Sequence, residues 1–188
     1  MDAREIFDGY FKALEEQGAV VFVDYQHDAL WTPRATIALA LVGMRALASE
    51  ATSQVTSRGA SFGRGEFLDI DVAIVEPTNW NPPVFVAEHE NSGRRERVQY
   101  AAWKLLSVDA GQRLLVAYFG DGTQFRSFEE LLGAVTEVCQ GHAGKELLLI
   151  GGEYDARPKT IEALRKAHQT FAAGIPRTGG ERAAALGA

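Results

Sequence analysis

The chain has 188 residues and a formal net charge of −6, a length that suits one domain with a hydrophobic core. The negative charge argues against a basic protein that coats nucleic acid, although it leaves room for a nucleic-acid enzyme with local basic groups. The single cysteine, Cys139, excludes an intrachain disulfide framework or a cysteine zinc site. The amino-terminal segment lacks a signal-peptide pattern, and the longest apolar stretch, 35–47, is too short to span a bilayer. We therefore expect a soluble cytoplasmic protein.

Apolar periodicity and turn residues predict five helices and five strands. In chain order the predicted helices are 3–17, about 34–50, 94–107, 127–140 and one from 158 to about 171. The predicted strands are 19–25, 67–75, 84–90, 113–120 and 146–152. The glycine-rich residues 52–66 are expected to form a short strand or a mobile loop.

This order of elements predicts an α/β fold, with a central mixed β-sheet flanked by helices. The strands at 67–75 and 84–90 are apolar at both odd and even positions, as expected for strands that helices cover on both faces. We expect residues 1–173 to form a single domain and residues 174–188 a flexible tail.

Four acidic residues lie within these two apolar strands and continue their apolar parity. Asp69 and Asp71 lie two residues apart in the first strand, and Glu88 and Glu90 lie two residues apart in the second. Because alternate residues of a strand share one face, each pair is expected to project from one side of the sheet.

The register of the hairpin decides whether the pairs meet. If Val75 faces Val84 in an antiparallel hairpin, Asp71 lies opposite Glu88, and the other two acids face each other likewise. Like charges directly opposite each other repel, so this patch is stable if a divalent cation binds in it. Carboxylate oxygens suit magnesium, manganese or calcium.

The alternative interpretation is that the four acids face solvent at the strand ends or pair with Arg94, Arg95 or Arg97. His89 has the opposite parity, so its side chain is expected to pack on the other face. Its backbone carbonyl lies between the two glutamates and is a candidate oxygen ligand.

These residues resemble the pattern of the PD-(D/E)XK nuclease superfamily. In that pattern an acid on one strand is followed by a turn and by an E-x-K tripeptide on the next strand. Asp71 matches the first acid, and Glu88-His89-Glu90 matches the tripeptide with glutamate in place of lysine. Some members carry E-x-E, and in others a neighbouring element provides the lysine. Lys104 on the following helix is the candidate here, the alternative being a solvated helix lysine.

The resemblance covers roughly residues 34–120, where the order of elements also agrees, and it implies a restriction-endonuclease-like core. Members often have a glutamine on the helix that follows the tripeptide, sometimes with an aromatic residue four positions later, and Gln99 and Trp103 fit that spacing. They also often carry a glutamate on the helix before the sheet, for which Glu50 is the nearest match. A surface acid at a helix end is the alternative for Glu50.

The resemblance implies metal-dependent hydrolysis of a phosphodiester. Asp71, Glu88 and the His89 carbonyl would hold Mg²⁺ (or Mn²⁺), which polarises a phosphate oxygen and acidifies a bound water. Glu90 would orient that water or help to bind a second ion, and Lys104 would act beside them.

Contact with DNA requires positive charge near the acidic face. Arg94, Arg95 and Arg97 follow the acids directly, while Arg58 and Arg64 lie in the glycine-rich segment, where backbone amides can approach phosphates. The alternative is that these arginines are solvated and balance nearby carboxylates.

The leading hypothesis is a magnesium-dependent endonuclease that acts on DNA. A nuclease-fold protein that has lost catalysis, and serves as a binding or assembly module, is the alternative that the absent lysine and the negative charge favour. A third hypothesis is an unrelated α/β hydrolase that uses paired carboxylates. A homodimer would suit the first, because cleavage of both strands needs two sites.

Overall fold

The computed structural model describes residues 2–18, 25, 28–46, 54–57, 70–75, 82–154, 156, 158 and 160–174. Residues 19–24 of the first predicted strand, residues 67–69 of the second and the tail from 175 lie outside these ranges. None of the helices within the described ranges is long and apolar enough to cross a membrane.

The described ranges form five helices and six strands. The helices are α1 (Ala3–Glu15), α2 (Asp28–Ala46), α3 (Arg95–Ser107), α4 (Phe128–Cys139) and α5 (Ile161–Lys166). The strands are β1 (Gln54–Ser57), β2 (Val72–Val75), β3 (Phe85–His89), β4 (Gln112–Phe119), β5 (Glu146–Glu153) and β6 (His168–Gly174).

All six strands form one mixed sheet in the order β1-β2-β3-β4-β5-β6. Strand β2 is antiparallel to both of its neighbours, β1 and β3, whereas β3, β4 and β5 run parallel and β6 is antiparallel to β5. The parallel pairs are joined by α3 and α4, as parallel crossovers require. The predicted α/β class, a mixed sheet flanked by helices, is confirmed.

Two apolar layers cover the sheet. Val72, Ile74 and Phe85 pack with α1 and α2 on one face, whereas Ala73 and Val86 pack with α3 and α4 on the other. The alternation along β2 and β3 explains why both strands are apolar at odd and even positions.

The hairpin of β2 and β3 has the predicted register. Val72 pairs with Ala87, and Ile74 pairs with Phe85. Extending this pairing by one residue places Asp71 beside Glu88, as the sequence predicts.

Two helices begin or end at residues other than those that the sequence predicts. The predicted helix from 158 to about 171 is wrong beyond Lys166, because His168–Gly174 forms β6 and pairs with β5 along its length. Local helical periodicity is overridden there by hydrogen bonding to a sheet edge. Helix α2 begins at Asp28 rather than 34, so that Trp31 is buried and Pro33 lies inside the helix.

Close packing between α2 and the hairpin depends on Gly43. A Cβ atom there would lie against Ile74 and 2.6 Å from Cδ1 of Phe85, whereas one at Gly133 of α4 would meet nothing within 4 Å. Ala adds about 1 kcal/mol of helix propensity at either position. The difference in stability between Gly43→Ala and Gly133→Ala therefore measures the cost of packing a Cβ atom against the hairpin.

We expect Gly43→Ala to be less stable than Gly133→Ala by about 1–3 kcal/mol, the usual cost of overpacking a core. Urea unfolding monitored by circular dichroism measures this difference. Equal midpoints for the two variants would show that the hairpin tolerates a wider separation from α2.

Candidate functional site

The two predicted metal-binding acids meet at one end of the β2–β3 hairpin. Asp71 lies just before β2 and Glu88 lies within β3, and both residues are largely buried, at 9% and 5% exposure of the whole residue. Their parity is that of Ala73 and Val86, which pack against α3 and α4. Both acids therefore belong to the face of the sheet that α3 covers.

Each of the two carboxyl groups accepts a hydrogen bond from a backbone amide of the neighbouring segment of the hairpin. The Asp71 amide donates to Oε1 of Glu88 over 3.2 Å, and the His89 amide donates to Oδ2 of Asp71 over 2.8 Å. These crossed hydrogen bonds fix both carboxylates at the same end of the hairpin.

Lys104 completes the cluster from α3. Its Nζ lies 2.8 Å from Oε1 of Glu88, and the two side chains are 9% and 7% exposed. Its ammonium also lies 5.5 Å from the ring centroid of Tyr100. The alternative of a solvated helix lysine is therefore wrong. Because a buried charge is unfavourable without a partner, this pair couples α3 to β3.

Two buried or half-buried cations fix the end of α3 from which Lys104 projects. Arg113 Nε donates to the Leu105 carbonyl over 3.1 Å, and its Nη2 donates to the Val108 carbonyl over 2.9 Å. Lys145 Nζ donates to the Leu106 carbonyl over 2.7 Å. Terminal carbonyls without helical partners are satisfied in this way, and cations there also favour the helix dipole.

Burial sets the electrostatics of Glu88. Its pKa is raised to about 7, first by desolvation and then by the nearby Asp71 carboxylate, while Lys104 acts in the opposite direction. A carboxyl with such a pKa exchanges its proton near neutral pH, which is typical of functional sites.

Three other predicted site residues have contacts elsewhere. Glu90 follows β3, and its Oε1 accepts a hydrogen bond of 2.8 Å from the amide of Ser92. Gln99 donates to Oε2 of Glu137 on α4, which Arg95 also contacts at 3.3 Å. Gln99 and Arg95 thus hold α3 against α4, and no contact within the described ranges joins Glu90 to the Asp71–Glu88 pair.

The remaining predicted residues divide into two groups. The side chains of Arg94 and Arg97 are exposed, and neither has an ion-pair partner in the described part of the chain. Asp69, Glu50, Arg58 and Arg64 lie outside the described residues.

His89 faces away from the acids, as its parity predicts. Its Nε2 lies 2.7 Å from the hydroxyl of Tyr118, which also accepts a hydrogen bond from Trp31. Burial lowers the pKa of His89 to about 3, so the ring is neutral at physiological pH. The sequence gives no signal for this polar group, because Trp31 and Tyr118 come from distant elements.

The donor set fits a hard cation. Asp71 and Glu88 provide carboxylate oxygens at one place, and their mutual repulsion is what a divalent ion would relieve. Within the described ranges no group of three or more His, Cys, Asp or Glu side chains is arranged to hold a metal. The His89 carbonyl therefore stays a predicted ligand, and so does Asp69 as a supporting acid.

Comparison with protein-family models, curated proteins and solved structures finds no match to this chain. The resemblance to the PD-(D/E)XK superfamily therefore stays a prediction.

The raised pKa of Glu88 predicts a pH-dependent stability. Since its folded pKa of about 7 exceeds the ordinary value of 4.5, the folded state holds more protons between these values. The contribution of Glu88 to stability therefore falls as pH rises from about 4.5 to 7, by at most ~1.4 kcal/mol per pH unit. Buried His89, whose pKa is lowered, gives the opposite slope.

Because these two slopes of stability against pH partly cancel in the wild type, the contribution of Glu88 is isolated by comparing variants. The free energy of unfolding of Glu88→Gln, relative to the wild type, should rise between pH 5 and 7.5, because only the wild type must ionise a buried carboxyl. Glu90→Gln, two residues along, is the matched control, because Glu90 accepts a hydrogen bond from the Ser92 amide and does not belong to the buried pair. Parallel curves for Glu88→Gln would refute the raised pKa.

Proposed function

We propose that this chain is a divalent-metal-dependent nuclease that hydrolyses phosphodiester bonds of DNA. The observation that carries the proposal is the contact of 2.8 Å between Lys104 Nζ and Glu88 Oε1, next to Asp71. Two acids and a lysine from three elements meet there, although they are far apart in the sequence.

The position of Lys104 compensates for the glutamate at position 90, where the superfamily pattern has a lysine. The superfamily pattern places a lysine two residues after the second acid, where this chain has Glu90. Lys104 brings an ammonium group to the same glutamate from α3, as in members where a neighbouring element provides the lysine. The order from α2 through β1, β2, β3 and α3 to β4 also supports a restriction-endonuclease-like core.

In the proposed reaction Asp71 and Glu88 would hold Mg²⁺, which when bound supplies a Lewis acid for the phosphate and lowers the pKa of a bound water. Lys104 would donate a hydrogen bond to a phosphate oxygen or to the attacking water, and its charge would stabilise the negative charge that develops. Glu90 stays a candidate for orienting water, although it contacts the Ser92 amide here.

A binding or assembly module without catalysis is the second candidate. It is favoured by the Lys104–Glu88 ion pair itself, because that pair satisfies the glutamate without a metal. The negative net charge of −6 also suits a chain that does not hold long stretches of DNA. A cytoplasmic location and a homodimer belong to the nuclease proposal as further predictions.

Divalent ions should stabilise the folded protein through Asp71 and Glu88. At a concentration 100 times the dissociation constant, one bound ion adds about 2.7 kcal/mol. We expect millimolar Mg²⁺ or Mn²⁺ to raise the melting temperature of the wild type but not of Asp71→Asn. An equal rise in the two proteins would place the ion elsewhere.

Cleavage separates the two candidate functions. In a nicking assay with Mn²⁺ on plasmid DNA and on single-stranded circular DNA, Asp71→Asn and Lys104→Met should each lose at least about 100-fold in rate, the usual effect of removing one group that stabilises the transition state. Lys166→Met is the matched control, since Lys166 is an exposed residue of α5 that pairs with Glu162.

A wild type that binds the ion without nicking would favour the module. Equal nicking by the wild type and Asp71→Asn would exclude catalysis at this site.

A further inference from the structure

Two half-exposed aromatic rings lie at the edge of the site. Tyr100 and Trp103 on α3 are each 49% exposed, and their rings stack with centroids 5.8 Å apart and an interplanar angle of 21°. Large aromatic side chains are normally buried for their apolar area. A stacked pair left half in water is therefore a candidate contact surface.

The position of this pair connects it to the acids. The ring centroid of Tyr100 lies 5.5 Å from Lys104 Nζ, which in turn contacts Glu88. Trp103 stacks on Tyr100 in turn. A strand bound with a phosphate near Lys104 would therefore have its neighbouring bases next to the two rings.

The charges around the pair suit a polyanion. Arg97, one helical turn before Tyr100, is exposed and has no carboxylate partner in the described part of the chain. Glu96 is also exposed on α3 and is the nearest opposing charge in sequence. Arginine next to aromatic rings is the usual composition of surfaces that bind single strands, where bases stack and backbone phosphates pair with cations.

We propose that Tyr100 and Trp103 form a stacking platform for unpaired bases, so that the substrate is single-stranded DNA or a frayed DNA end. This inference rests on the proposed function, since it names the substrate of the same site. Rings on the outside of a helix reach base faces only when those bases are unstacked. In duplex DNA the base faces lie inside the stack, which leaves only base edges and backbone for a protein to contact.

The test is binding of fluorescently labelled oligo(dT) and of a duplex of equal length, measured by anisotropy in EDTA so that no cleavage occurs. Tyr100→Ala and Trp103→Ala should each weaken single-strand binding by about 5- to 100-fold, the effect of losing one stacked base. The affinity for the duplex should change by less than about 3-fold, because the base faces of a duplex are not available for stacking on the rings. Trp103→Phe should restore most of the affinity, because it keeps an aromatic face.

Ile37→Ala is the matched control, since Ile37 on α2 is equally exposed at 48% and lies on another helix. Unchanged single-strand affinity in both alanine variants, or an equal loss for the duplex, would overturn the platform. So would light scattering that shows a wild-type dimer and a Trp103→Ala monomer, because the pair would then be a self-association surface.

The variant Asp71→Asn distinguishes a failure of the stacking platform from a failure of the proposed nuclease site. If this variant binds oligo(dT) as the wild type does and nicks no DNA, platform and nuclease both stand. If it nicks as the wild type does while the alanine variants still lose binding, the nuclease site fails and the platform stands.

Discussion

The buried ion pair between Lys104 and Glu88 determines how the rest of the site is arranged. Neither group is stable in the interior without the other, since removing one partner of a buried pair leaves an uncompensated charge. The glutamate belongs to a central strand and the lysine to the helix that follows it, so their contact sets how α3 lies on the sheet. The Arg113 and Lys145 contacts with the last carbonyls of α3 hold the same turn in place. Three cations thus converge on the end of one helix, and only Lys104 points to a carboxylate of the site.

Strand β3 carries two different polar environments on its two faces. Glu88 faces α3 and has acidic and cationic neighbours, whereas the next residue, His89, faces α2 and contacts Tyr118. Burial raises the pKa of Glu88 and lowers the pKa of His89, so in both cases it favours the neutral form, the protonated carboxyl and the neutral imidazole. Without a cation the interior at this point therefore favours neutral groups on both faces. Lys104 contributes most to lowering the pKa of Glu88, and the hydrogen bond from the Asp71 amide acts in the same direction, so the lysine is the main support for an ionised Glu88.

Local periodicity was enough to predict the hairpin and its acids, because strand parity and a short turn fix the register over a few residues. Asp71, Glu88 and the opposite orientation of His89 all follow from this pattern. The role of Lys104 could only be raised as an option, since a helix residue reaches a strand through tertiary packing that periodicity does not encode. Strand β6 could not be predicted for the same reason: residues 168–174 are strand because the edge of β5 lies beside them. Arg113, a buried cation among carbonyls, gave no signal, because its partners are backbone groups.

For the proposed nuclease, the glutamate at position 90 matters less when the positions of the charges in space are compared, rather than their order along the strand. A phosphodiester site would need an ammonium group beside the acids, and Lys104 Nζ lies within hydrogen-bond distance of Glu88. The geometry differs in one consequential way, because a lysine on β3 would leave the glutamate open to a metal, whereas Lys104 occupies Oε1. Cation binding at Glu88 would then have to displace or share that contact. In the proposed nuclease the lysine that supplies the charge would therefore compete with the metal, and the strength of this competition would distinguish a catalytic site from a structural ion pair.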